Sequence, residues 1–413
     1  MDGGGGAHLA TFASAAETET SSRHTSWGGA SRIPVVQSPQ MHTAHMPQRT
    51  STPAEVPPKP PVQQRYLALD AFRGFIMFVL VSGGFGLAEL AQHRPAFAGI
   101  AQQFEHMPWE WITFWDLIQP AFMFMVGVAM PFALARRMEQ GATGPQLFWH
   151  VVGRGFRLIL MSQILISIGS GKLSFQLINV LAQIGITYFL CYLIMQLRFR
   201  WQAVIAVMIL AGYWALFVAF PGAEGPFLSK TTNIGAVIDT YVFGHPNSDD
   251  WTTINFLTST VTTLFGVWTG QLLQSHRSHA EKMRIIAISA VVCLGLGLII
   301  YPWNPIIKRI CTTSFTLYST GWVLLMLLAF YWLVEVRGYR KWTFPLVVIG
   351  ANSIFIYSVH MVLQGWLNRA VGVFTLNFTW LGDFAPVAQS CAVLLVMWYL
   401  CYWLYRRKIF FKL

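Results

Sequence analysis

The chain has 413 residues, of which 54% are hydrophobic and 11% are charged, and its mean hydropathy is +0.49. A typical soluble domain carries about 25% charged residues, so this composition excludes an ordinary soluble protein and indicates a polytopic membrane protein. The net charge of +11 would suit a nucleic-acid partner. The five cysteines are odd in number and have no metal-ligand spacing, so they predict neither a disulfide framework nor a metal site.

Residues 1–64 are rich in Gly, Ala, Ser, Thr, His and Pro. Because such a composition cannot bury an apolar core, we expect a disordered cytoplasmic tail there. Residues 65–413 are predicted to form a single transmembrane domain.

The membrane domain contains apolar stretches of about the 20 residues that a bilayer-spanning helix requires. They predict an all-α bundle of about ten transmembrane helices. The expected spans are 67–92, 112–135, 151–169, 175–196, 201–220, 252–274, 284–302, 314–335, 343–366 and 386–405. A very tight turn from Gly169 to Ser174 is expected between the third and the fourth.

The orientation follows from the lysines and arginines of the loops. With a cytoplasmic N-terminus, sixteen of them lie on the inner side, before the tail is counted. The outer loops carry only Arg94, Lys172, Lys230, Lys308, Arg309 and Arg369. This positive-inside bias predicts that both termini are cytoplasmic, and it argues against a nucleic-acid partner.

A histidine in the loop before the second span is the main candidate for chemistry. His106 lies in EHMPWEW on the expected outer side, and Asp116 follows just inside the span. Histidine titrates near neutrality and can take a proton from an amine or hydroxyl that attacks an acyl carbonyl, while Asp116 could fix its tautomer. The alternative is an interfacial histidine and aspartate that only form structural hydrogen bonds.

Asp70 and Arg73 are three residues apart in the first span and share one helix face. They are either a buried ion pair that holds the helix in the bundle, or an arginine for an anionic ligand oriented by its aspartate.

Four arginines flank the expected inner loop after the second span, namely Arg136, Arg137, Arg154 and Arg157. They anchor the helices as ordinary positive-inside residues, or they attract the phosphates of a cytoplasmic nucleotide-like donor.

The ninth span, GANSIFIYSVH, places polar side chains in an apolar helix. Asn352 and His360 either bind neighbouring helices or reach a cavity, and His360 is expected at the same face as His106. Lys308 lies at the outer mouth and would recognise an anionic acceptor or pair with Asp249 or Asp250. The long outer segment 221–250 could form a lid over this face.

A series of motifs in one order extends the analysis beyond single residues. It comprises LDAFRG, H-x-x-W-x-x-x-x-x-x-D-L-x-x-P, FMFMVGVAMPFALARR, NVLAQIGITYF, PIIKRICTTSF and GANSIFIYSVH. The series resembles the membrane domain of the heparan-α-glucosaminide N-acetyltransferase family, in the transmembrane acyltransferase superfamily, and its bacterial relatives, over about residues 66–365. The chain differs from the lysosomal enzyme where Ser82 stands near an asparagine position, and where Ala182 and Gln183 replace a glutamine-arginine pair.

The resemblance implies an acyltransferase that moves acetyl groups from cytoplasmic acetyl-CoA to a sugar on the far side of the membrane, with no metal. The family's active-site histidine lies in H-x-x-W, which is His106 here. Asp70, Arg73, Asp116, Lys308, Asn352 and His360 also match recurrent family positions.

We therefore expect an O- or N-acyltransferase of a bacterial inner membrane whose acceptor is a glycan or another envelope component. Its other partner is membrane lipid, and a homodimer is left open. The rival hypothesis is a proton-coupled solute transporter, which the charges inside the membrane would suit. A third is a catalytically inactive scaffold.

Overall fold

The computed structural model describes residues 66–247, 250–375, 377 and 379–411. The predicted tail lies outside the described residues. Within them the chain is helical and contains no β-strand. The helices are α1 Leu67–Val81, α2 Leu87–His93, α3 Ala98–Gln102, α4 Ile118–Glu139, α5 Gly144–Ser170, α6 Val180–Met195, α7 Phe199–Ala219, α8 Ile234–Phe243, α9 Phe256–Gln274, α10 His279–Ile300, α11 Thr313–Tyr331, α12 Phe344–Ala351, α13 Ser353–Thr375 and α14 Ala385–Arg406.

The predicted all-helical membrane class is confirmed for the described part of the chain. Six helices there are long and apolar enough to cross a membrane, and the number is eight if each of two bent pairs forms one span. The remaining two predicted spans correspond to the short α6 and to the threonine-rich α9. The count of ten therefore remains a prediction.

The boundaries of the third and fourth predicted spans are wrong. Helix α5 begins at Gly144 because Thr143 and Gln146 form a capping box at its N-terminus. Residues 171–179 then separate α5 from α6, so the expected tight turn is a longer connection. Arg154 and Arg157, predicted near the start of the third span, therefore lie ten and thirteen residues after the first residue of α5.

Two spans predicted as continuous are bent. Helices α1 and α2 are separated at residues 83–86 with a bend of 47°, and α12 and α13 meet at Asn352 with a bend of 68°. The first break contains left-handed backbone at Gly83, Gly84 and Gly86, which glycine adopts without a steric penalty.

Small residues allow the most closely packed helix pairs to approach. A Cβ atom added to Gly127 of α4 would lie 1.9 Å from a carbonyl oxygen of α9, and one added to Gly266 of α9 would lie 2.1 Å from a carbonyl oxygen of α4. Gly155 and Gly185 face each other in the same way between α5 and α6. Such contacts are typical of helices packed inside membranes.

The outer faces of several helices are apolar and exposed. Phe156 of α5, Val207 of α7, Val291 of α10 and Leu395 of α14 are each about two-thirds exposed. A continuous apolar exterior is the surface that hydrocarbon would cover in a polytopic membrane protein.

Candidate active site

The loop before α4 and the loop before α11 are joined at one end of the bundle. Glu110 and Ile307 form an isolated antiparallel β-bridge, and the Trp111 amide donates a hydrogen bond to the Ile306 carbonyl over 2.7 Å. The Tyr301 hydroxyl donates to the Glu110 carboxylate over 2.5 Å. These contacts bring Lys308 to His106, although about 200 residues separate them in the sequence.

His106, Asp116 and Lys308 form one polar cluster. His106 Nδ1 lies 2.7 Å from Asp116 Oδ1, and Lys308 Nζ lies 3.1 Å from both of these atoms. Asp116 is held from its other side, since its Oδ2 accepts hydrogen bonds from the backbone amides of Met107 and Thr113. The position of the carboxylate is therefore fixed on both sides.

We assign the proton of His106 to Nδ1, in which case the 3.1 Å approach of Lys308 Nζ to this nitrogen is a contact between two donors that share the Asp116 carboxylate and is not a hydrogen bond. The Lys308 ammonium can only donate, so it satisfies Asp116. A proton on Nδ1 of His106 donates to the same carboxylate over the shorter distance of 2.7 Å. Nε2 is then left as the basic nitrogen, on a side chain that is 49% exposed.

Lys308 and Asp116 are both buried, with side chains that are 9% and 2% exposed. Burial lowers the pKa of Lys308 below the usual lysine range, and the Asp116 carboxylate offsets part of this decrease. The ring of Trp251 lies 5.3 Å from the Lys308 ammonium and covers it further. Lys308 thus forms part of the buried interior of the site in addition to lining its cavity.

A cavity of about 210 Å³ adjoins this cluster. Its polar lining includes His106, Gln119, Lys308 and His360, and its apolar walls come mainly from α1, α4, α13 and the segment before α6. The structure therefore brings three of the predicted residues to one cavity, with Asp116 directly behind His106. Nδ1 of His360 is buried and has no hydrogen-bond partner among the described residues.

Asp70 and Arg73 lie elsewhere. They form an ion pair of 3.8 Å near the start of α1, whereas Leu80, near its end, lines the cavity. Ten residues of helix separate Asp70 from Leu80, or about 15 Å. The pair is therefore outside the His106 cavity.

Asn352 and Arg154 also have surroundings of their own. The amide of Asn352 binds the C-terminal segment, donating to the Ile409 carbonyl over 3.1 Å and accepting from the Phe411 amide over 3.1 Å. The Arg154 guanidinium lies 4.5 Å from the centre of the Tyr188 ring, and its buried Nε has no described hydrogen-bond partner. Arg157 is exposed on α5.

The segment 221–250, expected to form a lid, contains α8 and meets the His106 loop. The indole nitrogen of Trp109 donates to the Phe227 carbonyl over 2.9 Å. Trp251, which follows this segment, lines the cavity directly.

Sequence reasoning missed Gln119 and Trp251. Gln119 is a polar side chain in an apolar helix, one turn after Asp116, and this was the signal that could have identified it. The contact of Trp251 with Lys308 depends on loop packing and has no comparable local signal. The hydroxyl of Ser82, which directly follows α1, donates to the Val79 carbonyl over 2.6 Å.

The fold and this cavity define the class of the protein as an all-helical, integral membrane protein with a polar site at one end of its bundle. No protein-family model matches the chain. The curated mouse and human proteins named heparan-alpha-glucosaminide N-acetyltransferase are each 23% identical to it over 420 aligned positions, which cover 84% of this chain and 60% of each relative. These relatives carry the name of the family that the motif series resembles, so the similarity supports that resemblance. The chain spans less than two-thirds of the length of these relatives.

Proposed function

We propose that the protein is a transmembrane acyltransferase that moves an acetyl group from cytoplasmic acetyl-CoA to an amine or hydroxyl of an extracytoplasmic glycan. The observation that carries the proposal is the His106–Asp116 pair, 2.7 Å apart, with the half-exposed side chain of His106 lining a cavity. The names of the two relatives supply the reaction class and the acetyl group.

In the proposed reaction His106 is the general base. Nε2 takes the proton of the acceptor as its nitrogen or oxygen attacks the thioester carbonyl. The carbon–sulfur bond then breaks, and the leaving thiolate of CoA receives the proton from the imidazolium. Asp116 holds the tautomer and stabilises the imidazolium, as the aspartate of a Ser-His-Asp triad does.

A second route uses the same residues. His106 Nε2 attacks the thioester carbonyl, the carbon–sulfur bond breaks, and CoA leaves as its thiolate. The acceptor then attacks the acetyl carbon, the bond to His106 breaks to restore the neutral imidazole, and the acceptor proton is released to solvent. Initial-rate kinetics distinguish the routes, because an acyl-enzyme gives parallel double-reciprocal lines and a ternary complex gives intersecting ones.

The donor would approach from the other end of the bundle. Arg136 lies twenty residues after Asp116 along α4, which corresponds to about 30 Å of helix. Arg154 lies about 15 Å along α5 from its first residue. A donor whose phosphates bind at Arg154 would therefore have a shorter distance to His106 than a donor bound at Arg136.

The proposal includes ten spans, with both termini in the cytoplasm of a bacterial inner membrane. It also assigns the outer face to His106 and Lys308. The loop charges support this orientation.

Release of free thiol from acetyl-CoA tests the proposal in purified protein with glucosamine as the acceptor probe. We expect His106→Ala to reduce the rate by at least about 100-fold, the usual contribution of a general base. His245→Ala is the matched control, since His245 is an exposed loop histidine whose hydrogen bond within the described part of the chain is to the neighbouring Pro246 carbonyl. Equal rates for wild type and His106→Ala would remove His106 from the reaction.

The transporter hypothesis predicts a different result in the same samples. The ion pair of Asp70 and Arg73 inside a span is the observation that favours it. A transporter would release no thiol from acetyl-CoA and would retain solute uptake in His106→Ala.

A further inference from the structure

Three side-chain amides form a buried chain that leads away from the cavity. Gln119 Nε2 of α4 donates to Gln183 Oε1 of α6 over 2.7 Å, and Gln183 Nε2 donates to Asn255 Oδ1. Asn255 Nδ2 donates to the backbone carbonyl of Arg309 over 3.3 Å. Gln183 and Asn255 are fully buried, whereas Gln119 is partly exposed and lines the cavity.

The last member of this chain fixes the direction of every bond in it. A backbone carbonyl can only accept, so Asn255 must present its NH₂ group to Arg309. Its oxygen then faces Gln183, which must donate to it and therefore turns its own oxygen toward Gln119. The orientation of Gln119 thus follows from Arg309, although the oxygen and nitrogen ends of an amide have nearly the same shape.

The consequence for the cavity is a fixed hydrogen-bond acceptor. Gln119 uses its NH₂ group on Gln183, and no described residue donates to its Oε1. Gln119 lies three residues after Asp116, which occupies the short 3-10 turn that leads into α4, so the two side chains are about one turn apart. Both ends of the amide chain are also tied to the active cluster, because Arg309 directly follows Lys308.

We propose that Oε1 of Gln119 is a substrate-binding subsite that accepts a hydrogen bond from an N–H or O–H group of a substrate held beside His106. The inference rests on the proposed acyltransferase function and adds the polarity of the group that the site recognises. Two substrates carry this chemistry, namely the secondary amides in the pantetheine arm of acetyl-CoA and the amine or hydroxyls of a sugar acceptor. Gln183 and Asn255 are positioning residues, because they act only through Gln119.

Separate Michaelis constants for acetyl-CoA and for glucosamine test the subsite. Gln119→Leu removes the acceptor and leaves the donor of the substrate unpaired, so we expect one of the two KM values to rise by about tenfold while kcat changes much less. A rise for acetyl-CoA alone assigns the bond to the pantetheine arm, and a rise for glucosamine alone assigns it to the acceptor. Either result supports the subsite.

The positioning role has its own test. Gln183→Leu frees Gln119 to rotate, and it should raise the same KM by a smaller factor. In Gln183→Glu only the protonated carboxyl can both accept from Gln119 Nε2 and donate to Asn255 Oδ1. The affinity should therefore recover at acidic pH and fall again as the carboxyl ionises, which a merely structural role would not predict.

Gln202→Leu is the matched control. Gln202 is a buried amide on α7 that bonds to Trp268 and the Leu197 carbonyl, away from the cavity. Unchanged KM values in Gln119→Leu, or an equal rise in Gln202→Leu, would overturn the subsite. Failure of the wild type to release thiol would instead overturn the proposed function, so the two failures are distinguishable.

Discussion

At the residue scale, Asp116 contacts both His106 and Lys308. The variant Asp116→Asn tests its effect on the tautomer of His106. Asp116→Asn keeps the shape of the side chain but introduces an NH₂ group that can donate to His106 Nδ1. His106 would then carry its proton on Nε2 and lose its basic nitrogen, so we expect kcat for thiol release to fall by at least about 100-fold. Asp383→Asn is the control, since Asp383 forms an exposed ion pair with Arg94. Wild-type kinetics in Asp116→Asn would contradict the assigned tautomer.

Lys308 and Asp116 should also contribute unequally to stability. Asp116→Asn leaves a buried ammonium without its carboxylate, a loss that typically costs about 3–5 kcal/mol. Lys308→Met is expected to cost less, because Asp116 keeps its hydrogen bonds from Thr113 and His106. The double variant should recover part of the stability lost in Asp116→Asn. Thermal unfolding in detergent measures all three, and a double variant less stable than Asp116→Asn would contradict the pairing.

At the element scale, the close contact of α4 and α9 supports the site. Helix α4 follows Asp116 and carries Gln119, while α9 follows Asn255. A change in the separation of α4 and α9 would therefore change the distance between Gln119 and Asn255. In Gly127→Val, the new Cβ would lie 1.9 Å from the Thr263 carbonyl oxygen, and the two backbones would have to separate. We expect a loss of at least about 2 kcal/mol in unfolding free energy.

A glycine without close neighbours provides the control for this prediction. A Cβ at Gly212 of α7 would meet no atom within 4 Å. Gly212→Ala should therefore leave the thermal stability unchanged or raise it, because alanine favours helix by about 1 kcal/mol over glycine. A similar loss of stability in both variants would contradict the packing argument.

The sequence predicts these elements unevenly. Apolar length locates the long helices α7, α10 and α14, because a span requires a minimum number of apolar residues. The break at residues 83–86 had a signal in the run SGGFG, whereas the break at Asn352 depends on contacts with the C-terminal segment 409–411. The apolar length of each stretch predicts a continuous span for both pairs. It takes no account of the glycines at the first break or of the contacts with the C-terminal segment at the second.

At the scale of the whole molecule, the site depends on loops that lie far apart in the sequence. The H-x-x-W motif and the spacing to Asp116 identify His106, and loop charges assign Lys308 to the same side. The direct contact of Lys308 with Asp116 could not be predicted, because it results from the bridge between Glu110 and Ile307. The amide chain of Gln119 joins α4, α6 and the turn before α9 in the same way, and local patterns do not predict it.

The proposed orientation predicts which loops are accessible from each side. Gln140 and Leu173 are exposed and lie beyond opposite ends of α5. A membrane-impermeant thiol reagent should label Leu173→Cys in intact cells and Gln140→Cys only after permeabilisation, with the parent chain as the control for native cysteines. The opposite labelling pattern would contradict cytoplasmic termini.

The most direct test of the central claim is acetyl transfer across a sealed membrane. Protein is reconstituted into proteoliposomes that enclose glucosamine, and acetyl-CoA labelled in its acetyl group is added outside. We expect labelled N-acetylglucosamine inside vesicles that contain the wild type, and at least about 100-fold less of it with folded His106→Ala. Enclosed product that forms equally with both proteins, or none with the wild type, would contradict it.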